Sequence, residues 1–195
     1  SEAMADGQQG RYEESLRKLR EAEKTESNSL TIHYLMALDY YRLKDFRRAN
    51  ERFQSALQLN QSFALAAYYL GLTQVQTGDL DGAAVSFARA IELDPTNFSA
   101  AFNLGVAHLK KNRVEEALRQ FKRSVEINPE YAQGQEALGE LYLHLGRAEE
   151  AVRALERAVQ LAPRSAKAHY NLGRAYQALG RTAEAKREFD RAKAQ

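Results

Sequence analysis

A leucine followed by a glycine recurs at Leu70-Gly71, Leu104-Gly105, Leu138-Gly139 and Leu172-Gly173, each pair 34 residues after the last. Every one of these glycines falls inside a stretch patterned as a helix, as in AHYNLGRAYQALGR at 168–181. Glycine in that position costs about 1 kcal/mol against alanine. A defect repeated at a fixed period is an element of design, and a period of this length restricts the chain to an array of stacked supersecondary units. Alignment on the glycines gives repeats at 30–63, 64–97, 98–131, 132–165 and 166–195, behind a partial leading repeat at 1–29. The whole of 1–195 reads as a single domain.

Within each repeat, two apolar-periodic segments of helical length are split by a short turn, at Gly78-Asp79, Asn112-Arg113, Gly146-Arg147 and Gly180-Arg181. Each repeat is therefore a helical hairpin. Small residues stand in the second helix at Ala49, Ala83, Ala117, Ala151 and Ala185, and again at Ala56, Ala90, Ser124, Ala158 and Ala192. They let two helices approach closely. Gly71, Gly105, Gly139 and Gly173 do the same on the first helix, where the first repeat has Ala37. Phe53, Phe87, Phe121, Leu155 and Phe189 are large plugs spaced to fill the grooves of such a stack. Pro95, Pro129 and Pro163 halt the second helix and start the next hairpin.

These residues resemble the tetratricopeptide repeat, whose motif has a Leu-Gly pair, a Tyr three residues after the glycine, and downstream Ala, Phe, Ala and Pro. The resemblance covers nearly the whole chain. It implies an all-α fold, a right-handed superhelical solenoid of antiparallel helix hairpins with about eleven helices. The chain departs from the motif where the family's early Trp is replaced by His33, Ala67, Ala101, Gln135 and His169, and where Gln74 and His108 replace Tyr. These departures are expected to loosen local packing. Residues 11–24, RYEESLRKLREAEK, match a second helix whose partner is missing except for a last turn in EAMAD. That is expected of a stretch beginning inside a longer array, or of a natural cap. RTAEAKREFDRAKAQ, at the other end, is polar apart from Ala and Phe189, as a terminal repeat needs.

The composition narrows the functional classes. With no cysteine there is no disulfide framework, thiolate metal site or thiol nucleophile. The formal charge is +2, with basic and acidic residues interspersed, so no polybasic track marks a nucleic-acid or lipid-surface partner. No apolar run approaches the ~20 residues that span a bilayer. SEAMADGQQG has neither the basic nor the apolar region of a signal peptide, which makes the cytoplasm the default address. His33, His108, His144 and His169 lie in different repeats without ligand spacing. TGDLDG at 77–82 begins like a calcium loop but lacks the later ligands and the closing Glu, so it reads as an inter-helix turn. Glu115-Glu116 and Glu149-Glu150 open second helices, where carboxylates favour the positive dipole end. The expectation is a non-enzymatic protein with no catalytic residues, metal or cofactor.

The resemblance further implies that the first helices line a concave surface, with inward residues at fixed positions of each repeat. In the first three repeats the expected anchors are Tyr34, Leu38 and Tyr41, then Tyr68, Tyr69 and Leu72, then Phe102, Asn103, Val106 and Lys110. Tyr170, Asn171 and Arg174 hold the equivalent places in the last. An apolar trough rich in tyrosine suits a peptide or helix of a partner protein. Glu136 and Glu140 are expected to pair internally with Lys167 and Arg174. The clamp for a chaperone C-terminal carboxylate and the asparagine ladder of glycosyltransferase-linked arrays are both disfavoured, because their residues are missing from the required positions. Two alternatives stay open: self-assembly into a homo-oligomer through the uncovered N-terminal edge, and service as a regulatory or targeting arm of a larger multidomain protein.

Overall fold

The computed structural model describes residues 2–195, which hold twelve α-helices and no strand. They are α1 (Glu2–Gln8), α2 (Tyr12–Thr25), α3 (Leu30–Arg42), α4 (Phe46–Leu59), α5 (Ala64–Thr77) and α6 (Leu80–Leu93), followed by α7 (Phe98–Lys110), α8 (Val114–Ile127), α9 (Ala132–His144), α10 (Ala148–Leu161), α11 (Ala166–Ala178) and α12 (Thr182–Lys193). Contacts gather the chain into two compact units, residues 1–112 and 113–195.

The first unit holds α1 to α7, with hairpins α1/α2, α3/α4 and α5/α6. Each hairpin turns on one residue in the left-handed region: Gly10, Lys44 and Gly78, with Asn112 at the same register after α7. The next amide then reaches back to close the helix end, Asp45 N to Tyr40 O and Asp79 N to Gln74 O, both at 2.9 Å. One helix more is present than the sequence pattern suggests. Gly10 makes the same left-handed turn as Gly78, which folds Glu2–Gln8 onto α2 as a short first helix with Ala3 and Asp6 buried. The second helix of the leading repeat therefore has a partner.

The repeated glycine is explained by the plug of its own hairpin. A Cβ on Gly71 would stand 2.7 Å from the Phe87 ring, and Phe87 is fully buried. In α3/α4 the same place is taken by Ala37, packed in one cluster with Phe53, Met36 and Ala49. The substitution of Gln74 for the motif's Tyr does not leave a loose spot. Its Oε1 accepts from Ser86 Oγ at 2.6 Å, and its Nε2 donates to Asp79 Oδ2 at 3.4 Å.

The second unit holds α8 to α12, with hairpins α9/α10 and α11/α12 turning on Gly146 and Gly180, both at positive φ. Leu155 covers Gly139, and Phe189 covers Gly173 at 2.6 Å from a would-be Cβ. Small residues at Ala151, Ala158 and Ala175 are buried where helices meet. His169, at the family's Trp position, is buried with Nδ1 2.6 Å from Glu188 Oε2 and Nε2 3.1 Å from the Pro163 carbonyl, tying α11 to α12 and to the preceding loop.

Candidate protein-interaction surfaces

The residues expected to line a binding face fall on α3, α5 and α7 in the first unit, and on α11 in the second. In the first unit the tyrosines form one connected row. Tyr34 packs on Phe63 with centroids 4.7 Å apart and on Phe53 at 6.1 Å. Phe53 stacks on Tyr69 at 5.7 Å. Tyr69 meets Tyr41 edge-on at 5.8 Å and Tyr68 at 5.5 Å, and Tyr68 continues to Phe87 at 6.0 Å. Edge-to-face and offset pairs of this kind add roughly 0.5–1.5 kcal/mol each beyond burial. Burial pushes the Tyr34 hydroxyl up to about 12, and burial raises Tyr41 as well.

The rings of Tyr34, Tyr41, Tyr68 and Tyr69, with Leu38, Leu72 and Val106, are half-buried, over the fully buried Phe53 and Phe87. They form the floor of a surface, not its exposed tips. Phe102 lies deeper, at 7 % exposure. Asn103 is held in place, its Nδ2 donating to the Ser99 carbonyl at 2.8 Å and to Tyr68 Oη at 3.4 Å. The apolar groups most open to solvent on these helices are Leu65 and Leu109, at 44 % and 41 %. Their exposure was not legible in the sequence, because periodicity gives a face and not a depth. Lys110 and Arg42 are exposed and make no ion pair among the described residues.

In the second unit Tyr170 is 54 % exposed and Arg174 is exposed, whereas Asn171 is buried and its Nδ2 has no hydrogen-bond partner among the described residues. Lys167 pairs with both acids of α9, Glu136 at 3.2 Å and Glu140 at 2.8 Å. Arg174, expected to share that task, takes no part in it among the described residues. Lys167, two turns before Arg174 on α11, reaches both carboxylates, and Ser165 Oγ also donates to Glu136 at 3.0 Å.

The remaining polar motifs are occupied by the fold. In TGDLDG, Asp79 accepts from Gly82 N at 2.9 Å as the cap of α6, and Asp81 pairs with Lys111. A Cβ on Gly82 would collide with that cap, which accounts for the glycine. His33 lies between Arg52, 3.1 Å from its Nδ1, and Glu23 at 3.7 Å. Among the described residues no three His, Asp or Glu side chains gather as a metal site, and no helix is long and apolar enough to cross a membrane.

Family models described as tetratricopeptide repeat match residues 34–98, 74–141 and 166–195, and one described as TPR repeat matches 139–180. Together with the hairpins and their glycine-plug packing, these matches show that the chain belongs to the tetratricopeptide repeat family. No curated protein matches it in sequence. Among solved structures, a MamA protein is 25 % identical with a TM-score of 0.77, covering 84 % of this chain and 89 % of that one. YrrB, a TPR protein with an unusual peptide-binding site, is 23 % identical with a TM-score of 0.77, covering 89 % and 90 %. The C-terminal part of a TPR repeat-containing protein from Cytophaga hutchinsonii is 17 % identical with a TM-score of 0.85, covering 97 % and 76 %. The family and fold are those of protein-interaction scaffolds.

Proposed function

We propose that the chain is a non-enzymatic scaffold that holds a peptide or helix of a partner protein on the α3, α5 and α7 face of its first unit. The observation that carries this reading is the connected row Tyr34, Tyr69, Tyr41 and Tyr68, flanked by exposed Leu65 and Leu109. Tyrosines already packed against one another lose little conformational entropy on binding. Their apolar faces with a hydroxyl tip suit a ligand that is apolar on one side and hydrogen-bonded along its backbone. Arg42 and Lys110 supply unpaired positive charge at the edge, which favours acidic groups beside the ligand's apolar side chains. YrrB, alike in fold, has a peptide-binding site of its own, and this agrees with the reading.

The test is affinity capture from host lysate read by mass spectrometry. The chain is compared with a Tyr68→Ala, Leu109→Glu variant first shown by circular dichroism to keep its helicity. A partner captured by the unaltered chain and lost by the variant supports the reading. The same set captured by both overturns it.

A further inference from the structure

The α11/α12 face of the second unit is built like faces that the other repeats bury, yet no described element lies on it. Tyr170 and Phe189 stand 5.7 Å apart on its floor, beside an open hollow of about 590 Å³ that Ala166, Lys167, Ala192 and Lys193 complete. Phe189 and Ala192 are only half-buried. Their counterparts Phe53, Phe87, Phe121 and Leu155, and likewise Ala56, Ala90, Ser124 and Ala158, are 0–1 % exposed.

The first unit shows what kind of element covers such a face. Phe53 shares a cluster with Ala66 and Leu70 of α5, and Phe87 with Ala100 and Leu104 of α7. The cover is thus a helix that brings a small residue and, one turn later, a leucine. Gly134 with Leu138 and Ala168 with Leu172 keep the same spacing in the second unit.

The rim of the α11/α12 face differs from that template. Lys193 stands where earlier second helices have Leu57, Ile91, Val125 and Val159, and Lys186 where they have Asn50, Ala84, Leu118 and Val152. Neither lysine is ion-paired among the described residues. A cover of the internal kind would press an ammonium where Ile91 is almost fully buried, and an unpaired buried charge is costly. The fitting cover keeps the apolar stripe but adds acids beside it.

We propose that this face binds an amphipathic helix of a partner protein, one that sets a small residue and a following leucine against Phe189 and Ala192 and places Asp or Glu beside Lys186 and Lys193. A second copy of the chain does not offer this. In α1, Glu2 stands in register with Met36, Leu70 and Leu104, and Asp6 is already held by Arg11 and Lys18.

The experiment is fluorescence anisotropy on the full chain with dye-labelled synthetic helical peptides carrying Ala-x-x-x-Leu on one face, with either Glu or Lys flanks. The Glu-flanked peptide is expected to bind. Ala192→Glu is expected to weaken it about tenfold or more, and Lys186→Glu with Lys193→Glu, which leaves the apolar floor intact, to reverse the preference toward Lys flanks. The Tyr68→Ala, Leu109→Glu variant is expected to bind as the unaltered chain does, which separates this face from the one proposed above. No binding of the Glu-flanked peptide, or binding indifferent to both sets of substitutions, overturns the proposal. Sedimentation that shows a dimer dissolved by Ala192→Glu also overturns it, because the occupant is then a second copy.

Discussion

Single residues record how each repeat solves its turn and its packing. Every hairpin needs one left-handed residue; Gly10, Gly78, Gly146 and Gly180 supply it freely, whereas Lys44 has a Cβ at φ 61°. Left-handed backbone costs a non-glycine residue about 1–2 kcal/mol, so Lys44→Gly is expected to raise the unfolding free energy by about 1 kcal/mol in urea titrations. Asn112, of a type that tolerates the region better, should gain less from the same change. A second residue-scale case is Asp39, buried at 5 % exposure with Ser15 Oγ donating to it at 2.5 Å. Burial raises its carboxyl above the ordinary range. A group raised in the folded state contributes stability that is present below its unfolded pKa and lost as pH rises through the folded value. Asp6 is lowered, mainly by Lys18, and contributes the opposite way, losing stability as pH falls. Asp39→Asn keeps an acceptor for Ser15 without a buried charge. It should stabilise the chain at neutral pH, and the gain over the unaltered chain should shrink on acidification. A gain constant with pH would contradict this. The Ser15–Asp39 link was not legible in the sequence, because it depends on how α2 lies on α3. The left-handed turn register, by contrast, was legible at four of the repeats' turns.

At the scale of elements, the hairpin is one packing unit in which glycine and plug are a single device. Gly71→Ala gains helix propensity of about 1 kcal/mol, yet its Cβ meets the rigidly enclosed Phe87 ring. A net loss of about 1–3 kcal/mol is expected from overpacking. Gly173→Ala meets Phe189, whose outer side is open, so the ring can shift and the loss should be smaller. The plug itself follows the same order: Phe87→Ala is expected to cost about 3–5 kcal/mol, and Phe189→Ala clearly less. Equal costs at the two positions would refute the difference in enclosure. The period and the hairpins were legible, because they follow from spacing alone. The plug as the partner of Gly71, Gly139 and Gly173 was not, since spacing set only small residues opposite them and left the plugs to the grooves of the stack. The α1 helix was not, since seven residues carry too little periodicity to declare themselves. The burial of Phe102 and Asn171 escaped for a related reason: register assigns a side chain to a face without saying how far neighbours close over it.

For the molecule as a whole, the proposed function is binding and not chemistry. The titratable groups that sequence patterns bring forward are spent on the fold: Asp79 on a helix cap, Lys167 on Glu136 and Glu140, His169 on Glu188. Among the apolar groups the fold leaves open in the first unit are Leu65 and Leu109, on the same helices as the half-buried tyrosine row. The family resemblance implied one inward face for the tyrosines, while the exposure of Leu65 and Leu109 and the half-burial of the rings follow from side-chain packing. Salt should weaken a partner that uses Arg42 and Lys110, because exposed pairs are screened over about 8–10 Å at ordinary ionic strength. The most direct measurement is hydrogen exchange of the chain with and without the partner that affinity capture retrieves. Exchange is expected to slow in α3, α5 and α7, while α4 and α6 behind them stay unchanged. Slowing confined to α4 and α6 would contradict it and move the working surface to the opposite side of the hairpins.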